Sequence, residues 1–276
     1  MNSDTIAGCM SGGERVRRAV RSCLPSRTYH YLAKMLDAGF CLSKLGFTEF
    51  RRLRALSQRD PQSADKLEGL SIPTLQHPIF VRPGSTDLEE LVYSTVRQAY
   101  GHCLPSAPVH VIIDAGANIG DSTAWYLTRF PEARVIAVEP DPENFRVLEL
   151  NCRPYGNRVS LLCAALWSES GRLSLKKPGA CDGVYVGEWD GTDDCRGISI
   201  PDLMQCQGIS QVDILKLDIE DAELALFSSP QDSWLSQVRT IAIEIHSASS
   251  LEAVQAATSR HKFSHRFYRN LHFFCK

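Results

Sequence analysis

The chain has 276 residues, 43% of them apolar and 22% charged, and a formal net charge of −2. That size and composition suit one large α/β domain with an appendage, or two modest domains, and exclude a disordered chain. The near-neutral charge removes any general reason to expect nucleic acid as a partner, and no stretch approaches the ~20 apolar residues of a membrane span or the apolar core of a secretory signal, so a cytoplasmic protein is expected.

The N-terminus departs from the overall balance. Residues 1–60 hold 11 Lys or Arg against 5 Asp or Glu, which suits a solvated helical face or, as the alternative, an anionic partner. Residues 14–60 read as helical, with a break at Gly39. A Pro-containing extended stretch follows, and Ser85, Thr86 or Asp87 is placed to cap a helix from about Leu88 to Tyr100. "GHCLPSAP" (101–108) has linker composition. Residues 1–105 are thus expected to form a helical extension with an extended segment, whose helices are the expected homodimer surface, and 106–276 the main domain.

From there the rhythm is strand, helix, strand. "VHVIID", "ARVIAVE", "VSLLCAA", "VDILKLD" and "VRTIAIEI" are apolar strand runs, and "DSTAWYLTRF", "PENFRVLELNC" and "DAELALFSS" are helices between them. Such alternation predicts a doubly wound, Rossmann-like, mostly parallel sheet covered on both faces. Residues 167–208 interrupt it with a short strand, "RLSL", and the Gly/Asp-rich "GACDGVYVGEWDGTDDCRG", expected to be a surface loop or lid. The tail, "KFSHRFYRNLHFFCK", suits an antiparallel edge pair. The ten cysteines form no C-x-x-C pair and read as buried thiols in preference to a disulfide framework or zinc site.

Four predicted strands end on an acid: Asp114, Glu139, Asp218 and Glu244. In an open parallel sheet, ligands bind beyond the carboxyl ends of the strands. The turn after the first strand, D-A-G-A-N-I-G, is G-x-N-x-G and lacks the third glycine of the dinucleotide fingerprint, which disfavours a nicotinamide-dependent oxidoreductase. Gly116 and Gly120 permit close backbone approach around Asn118, and the next helix offers free N–H groups. Asp114 adds a negative charge, so a ligand with both a cationic and an anionic group fits, as S-adenosylmethionine does. Glu139 is placed to accept hydrogen bonds from two ribose hydroxyls or, alternatively, to cap the helix at Pro142. Pro140, with Ala164 and Ala165 after the third strand, is placed to flank an adenine.

With D-A-G-A-N-I-G, A-V-E-P-D-P-E-N-F, C-A-A-L-W-S-E-S-G and K-L-D-I-E-D-A-E in this order, preceded by F-V-R-P-G-S-T-D, the chain resembles the FkbM family of S-adenosylmethionine-dependent methyltransferases over roughly residues 78–246. The resemblance implies a class I methyltransferase fold with seven strands, the C-terminal one antiparallel. It also implies methyl transfer to a hydroxyl of a sugar, polyketide or other small metabolite. By position, Asp114, Gly116, Asn118 and Gly120 would hold the methionine part, Glu139 the ribose, and Asp218 and Glu220 would face the reacting end. The chain departs from the family's D-x-E-G-x-E at Asp221, where glycine is usual; Asp tolerates left-handed backbone better than most residues.

A hydroxyl acceptor needs a base. The candidates are Asp218, Glu220, Glu244 and His246, the last titrating in the right range. No metal is expected. The alternative is a divalent ion held by Asp218, Glu220, Asp221 and Glu223, whose simpler role is to cap and complement a helix start. His261, His265 and His272 fall in the tail hairpin. A protein that keeps the fold without turnover is the non-enzymatic alternative.

Overall fold

The structure is a computed structural model that describes residues 26–60, 66–176, 185–191, 194–220, 222–228 and 233–276. Asp221 lies outside the described residues. In chain order, α1 (Ser26–Leu56) is interrupted at Gly46, where φ is 74°. A small antiparallel pair, β1 (Glu68–Leu70) and β2 (Ile79–Val81), follows. The helix expected from Leu88 to Tyr100 is three pieces: α2 (Asp87–Leu91), a π-helical turn over Val92–Val96, and a 3₁₀ turn over Ala99–Cys103. Local competition explains the breaks. The Thr95 hydroxyl bonds the Leu91 carbonyl, Thr74 donates to the Thr95 carbonyl, and Gln98 takes a left-handed φ of 50°, which turns Tyr100 into the core. Ser85 supports the start of α2 by accepting from the Asp87 N–H at 3.2 Å.

The main domain runs β3 (Val111–Ala115), α3 (Asp121–Arg129), β4 (Arg134–Glu139), α4 (Pro142–Cys152), β5 (Val159–Cys163), β6 (Ala165–Leu166), β7 (Gly171–Lys176), β8 (Tyr185–Glu188), β9 (Asp194–Ile198), α5 (Ile200–Gln207), β10 (Val212–Leu217), α6 (Glu223–Ser228), β11 (Val238–Glu244), α7 (Ala248–Arg260), β12 (Ser264–Tyr268) and β13 (Leu271–Cys275). Seven strands form one sheet in the order β12-β13-β11-β10-β3-β4-β5. The pairs among β11, β10, β3, β4 and β5 are parallel, and β13 runs antiparallel to both its neighbours. The tail is therefore the expected antiparallel pair at the sheet edge, with one refinement. The reversed C-terminal strand lies between β11 and β12, and β12 is the outermost strand.

Both faces of each central strand are apolar, as a doubly covered sheet requires. Ile112, Val135 and Ile214 face α3 through Trp125, Tyr126 and Leu127. Their neighbours Ile113, Ile136 and Leu215 face the opposite layer, where Leu203 of α5, Leu226 of α6 and Val254 of α7 complete the larger core. Helix α4 has proline at its first turn and is capped by Asp141, whose carboxylate accepts from the Glu143 N–H at 3.0 Å.

Residues before 106 pack directly on this domain. Asn151 of α4 accepts from the Phe80 N–H at 2.7 Å and donates to the Ile119 carbonyl at 2.8 Å, joining β2 to the turn after β3. Arg82 pairs with buried Asp87 and donates to Asn144 at 2.7 Å. On α1, by contrast, Met35 and Phe47 are exposed.

The Gly/Asp-rich segment expected as a loop instead supplies β8 and β9 to a second sheet, ordered β6-β9-β7-β8. Its polar sequence hides the strands because pairing is supported from the side. The Arg172 guanidinium lies 4.2 Å from the Trp189 ring centroid and pairs with Asp194, while a Cβ on Gly197 would approach Leu173 to 2.7 Å. Residues 177–184 and 192–193 of that segment lie outside the described residues.

Candidate active site

The parallel register brings the predicted acids to one end of the sheet. Lys216 pairs with Asp114 and Leu217 with Ala115, so Asp218 stands beside Gly116 just past the strand ends. Glycine is obligatory at 116: φ is 71°, and a Cβ would fall 1.7 Å from the Asp218 carbonyl oxygen. At Gly120, with φ of 88°, a Cβ would meet Leu148 at 2.7 Å, so this glycine seats α3 against α4. Asn118, between them, has a left-handed φ of 48°, and its side-chain oxygen is buried without a hydrogen-bond partner.

Asp114 is turned into the core. It is fully buried and accepts from Ser122 at 2.7 Å and Thr123 at 2.6 Å, and the Lys216 ammonium lies 3.3 Å from its other oxygen. Lys216 is itself buried and donates to the Gly116 carbonyl at 2.6 Å. Burial opposes its charge, but Asp114, Asp218 and Asp121 outweigh that and hold its pKa above the ordinary value. The charge expected to receive a cationic ligand group is answered from inside, and Asp114 shapes the turn instead. A lysine within this strand is expected from sequence to point into packing or toward a carboxylate partner; the structure identifies that partner as Asp114.

Glu139 is buried at the end of β4, where its carboxylate accepts from the Asn118 N–H at 2.8 Å and the Asp141 N–H at 3.0 Å. Burial pushes its pKa up to about 7 against those two donors. It thus spans the turn after β3 and the entry to α4, while Asp141 performs the capping. Pro140 is half-buried beside it. Ala165 belongs to β6 and packs with Leu173, Leu175 and Cys195 in the core of the second sheet. Cys163 is exposed and in register with Glu139.

At the other side of the strand ends, Asp218, Glu220 and His246 come together, with one ligating atom of each within 4.8 Å of the others. Such a trio can collect a divalent ion, but a charge is already provided. His246 Nδ1 lies 2.7 Å from Glu223 and its Nε2 3.5 Å from Glu220. Glu223 is fully buried, and its hydrogen bond is the main cause that raises the His246 pKa to about 9. This is a carboxylate-oriented histidine whose second nitrogen faces two acids. Glu220 has a left-handed φ of 39°, so the turn after β10 is tight one residue before Asp221.

Several site residues were not foreseen. Tyr100 donates to Asp218 at 3.3 Å, and its ring lies 5.5 Å from the Lys216 ammonium. Tyr93 donates to Asn270 at 2.6 Å, and Asn270 donates to Glu244 at 2.6 Å, which ties β11 to the tail hairpin. Glu90, its pKa pushed up to about 8 chiefly by burial and then by Asp121 and Asp218, completes an acid-rich floor. These residues come from the extension and the last turn, so no motif spacing marks them. In the tail hairpin, His265 and His272 face each other at 2.9 Å, and burial lowers both, His272 to about 4.

The sheet order, with one reversed strand next to the edge and the acids at the carboxyl ends, defines a class I methyltransferase fold. The methyltransferase FkbM domain matches residues 114–271, more than half of the chain, and the chain belongs to that family. Among relatives, it is 28% identical to hexuronic acid methyltransferase AglP of Haloferax volcanii, over 56% of this chain and 63% of AglP. It is 27% identical to methyltransferase sdnD of Sordaria araneosa, over 52% of this chain and 70% of sdnD. It is also 25% identical to AMB antimetabolite synthetase AmbE of Pseudomonas aeruginosa, over 63% of this chain but only 10% of AmbE. The chain thus spans less than two thirds of AglP and a tenth of AmbE. No helix among the described residues is long and apolar enough to cross a membrane.

Proposed function

We propose that the protein is an S-adenosylmethionine-dependent O-methyltransferase acting on a hydroxyl of a small molecule such as a sugar, polyketide or other secondary metabolite. The observation that carries this reading is the pairing of His246 with buried Glu223 at the same strand ends that carry the G-x-N-x-G turn and Glu139. The residues suit the cofactor. The Asn118 side-chain oxygen is an unused acceptor, and Glu139 is a buried carboxylate that two hydroxyls can satisfy.

Bound there, S-adenosylmethionine supplies an electrophilic methyl group on a sulfonium, open to in-line displacement. Glu139 would hold the ribose, and the unpartnered side-chain oxygen of Asn118 would face the methionine end. Asp218 and Glu220 accept hydrogen bonds from the acceptor and fix its approach, which is where much of the acceleration in a displacement arises. His246 takes the acceptor's proton on Nε2, and Glu223 stabilises the imidazolium that results. The surplus of carboxylates, Asp218, Glu220 and Glu244, favours a neutral polyol over an acceptor that is itself acidic, unlike the acid named for AglP.

Calorimetric titration with S-adenosylmethionine, S-adenosylhomocysteine and NAD tests the cofactor. Micromolar binding of the first two and none of NAD is expected. NAD binding, or failure of both sulfur nucleotides to bind, overturns the reading. A radiolabelled methyl screen of neutral hydroxylated compounds then tests the acceptor.

A further inference from the structure

Cys103 and Cys275 lie 172 positions apart in sequence, yet their Sγ atoms are 2.7 Å from each other. Cys103 ends the 3₁₀ turn that carries Tyr100, and Cys275 is the last residue of β13. A second contact joins the same 3₁₀ turn to β12, the hairpin partner of β13: the His102 ring stacks on Tyr268, with centroids 3.4 Å apart. Both cysteines are part-buried and line a cleft of about 720 Å³ that also presents Arg266, Lys276 and Arg239, the last paired with Asp213 at 3.0 Å. The cleft admits a small reactant, and its cations favour one that is anionic.

From this juxtaposition we propose that Cys103 and Cys275 are a reversible disulfide site, oxidised by an anionic low-molecular-weight disulfide of the glutathione type. One cysteine thiolate attacks the small disulfide, forms a mixed disulfide and releases one small thiol. The other protein thiolate then attacks the mixed disulfide and releases the second, so two protein thiols become one S–S bond and the oxidant becomes two thiols. A disulfide sulfur pair sits about 2.05 Å apart, so a small side-chain adjustment closes the bond. Burial raises the Cys275 thiol to about 12, which suits it to the second, intramolecular attack at high effective concentration better than to the first. The bond staples the Tyr100 segment to the C-terminal strand. Because Tyr100 donates to Asp218, oxidation stiffens one wall of the candidate active site from its far end. It does not depend on the identity of the acceptor.

The test is oxidation of the purified full chain with glutathione disulfide at several ratios to glutathione, alkylation of remaining thiols, digestion and mass spectrometry. The expected result is a peptide pair joining Cys103 to Cys275, lighter by the two thiol hydrogens and restored by dithiothreitol. Its formation should raise the Tm by roughly 5 °C or more, since the bond closes a long loop. Cys103→Ser and Cys275→Ser should each abolish both effects. Full alkylation of both cysteines after oxidation of the folded chain, or a glutathione adduct that persists on Cys103 without resolving, overturns the proposal; both are read on the wild-type protein, independent of how well the variants fold.

Discussion

His246 gives the sharpest residue-scale test. Its pKa of about 9 leaves little neutral imidazole at pH 7, so turnover should climb with pH and level off above about 9. Glu223→Gln removes the main cause of the shift and should move that rise to lower pH, while His246→Ala should cost roughly 10²–10⁴ in kcat. A pH–rate profile that is flat from 6 to 9 would remove His246 as the base. Because Asp218 and Glu220 already have partners in Tyr100 and His246, EDTA should leave turnover unchanged; a loss restored by Mg²⁺ would place a metal on the trio. Glu139 makes the second test. Its carboxyl must ionise to accept two hydroxyl donors, so S-adenosylmethionine affinity should rise as pH passes through about 7. Glu139→Ala should weaken binding by ~1–3 kcal/mol in calorimetry, and an unchanged affinity would refute the ribose assignment.

At the scale of elements, the decisive feature is the join between β3 and β10. Lys216 and Asp114 are buried together, and removing one partner of such a pair strands the other charge. Lys216→Met should therefore destabilise the fold by about 3–5 kcal/mol in urea unfolding, with much of the loss recovered on adding Asp114→Asn. A loss below ~1 kcal/mol for the single change would mean that Asp114 finds its compensation elsewhere. Gly116→Ala drives a methyl group into the Asp218 carbonyl, so it should disturb the fold as well as binding. At the opposite end of the same strands, Asp213 accepts from the His110 and Val111 N–H groups at 2.7 and 3.0 Å and pairs with Arg239. The sheet is therefore pinned by charge at both ends.

For the whole molecule, the titrating groups set how stability varies with pH. His246 is raised on folding, so its contribution is complete below the ordinary histidine pKa of ~6.5 and is lost as pH rises through about 9. Glu139 is also raised, which favours the folded chain while that carboxyl is protonated, so this preference fades as pH rises through about 7. Both act in one direction, and urea midpoints measured without cofactor should fall from pH 6 to pH 9.5. The sequence by itself determined the sheet, because apolar strand runs separated by amphipathic helices have few other ways to bury both faces. It also located the glycine turn and Glu139, because close backbone approach and a strand-ending acid leave marks at fixed spacing. Only the tertiary structure decided what each acid does. Lys216, expected to point into packing or toward a carboxylate, has Asp114 as that partner. Glu223, read as a helix-start acid, became the partner that orients His246. Tyr100, Glu90 and Asn270 reached the site from segments remote in sequence, and the partners of a buried charge are set by packing across the sheet, which local pattern does not encode.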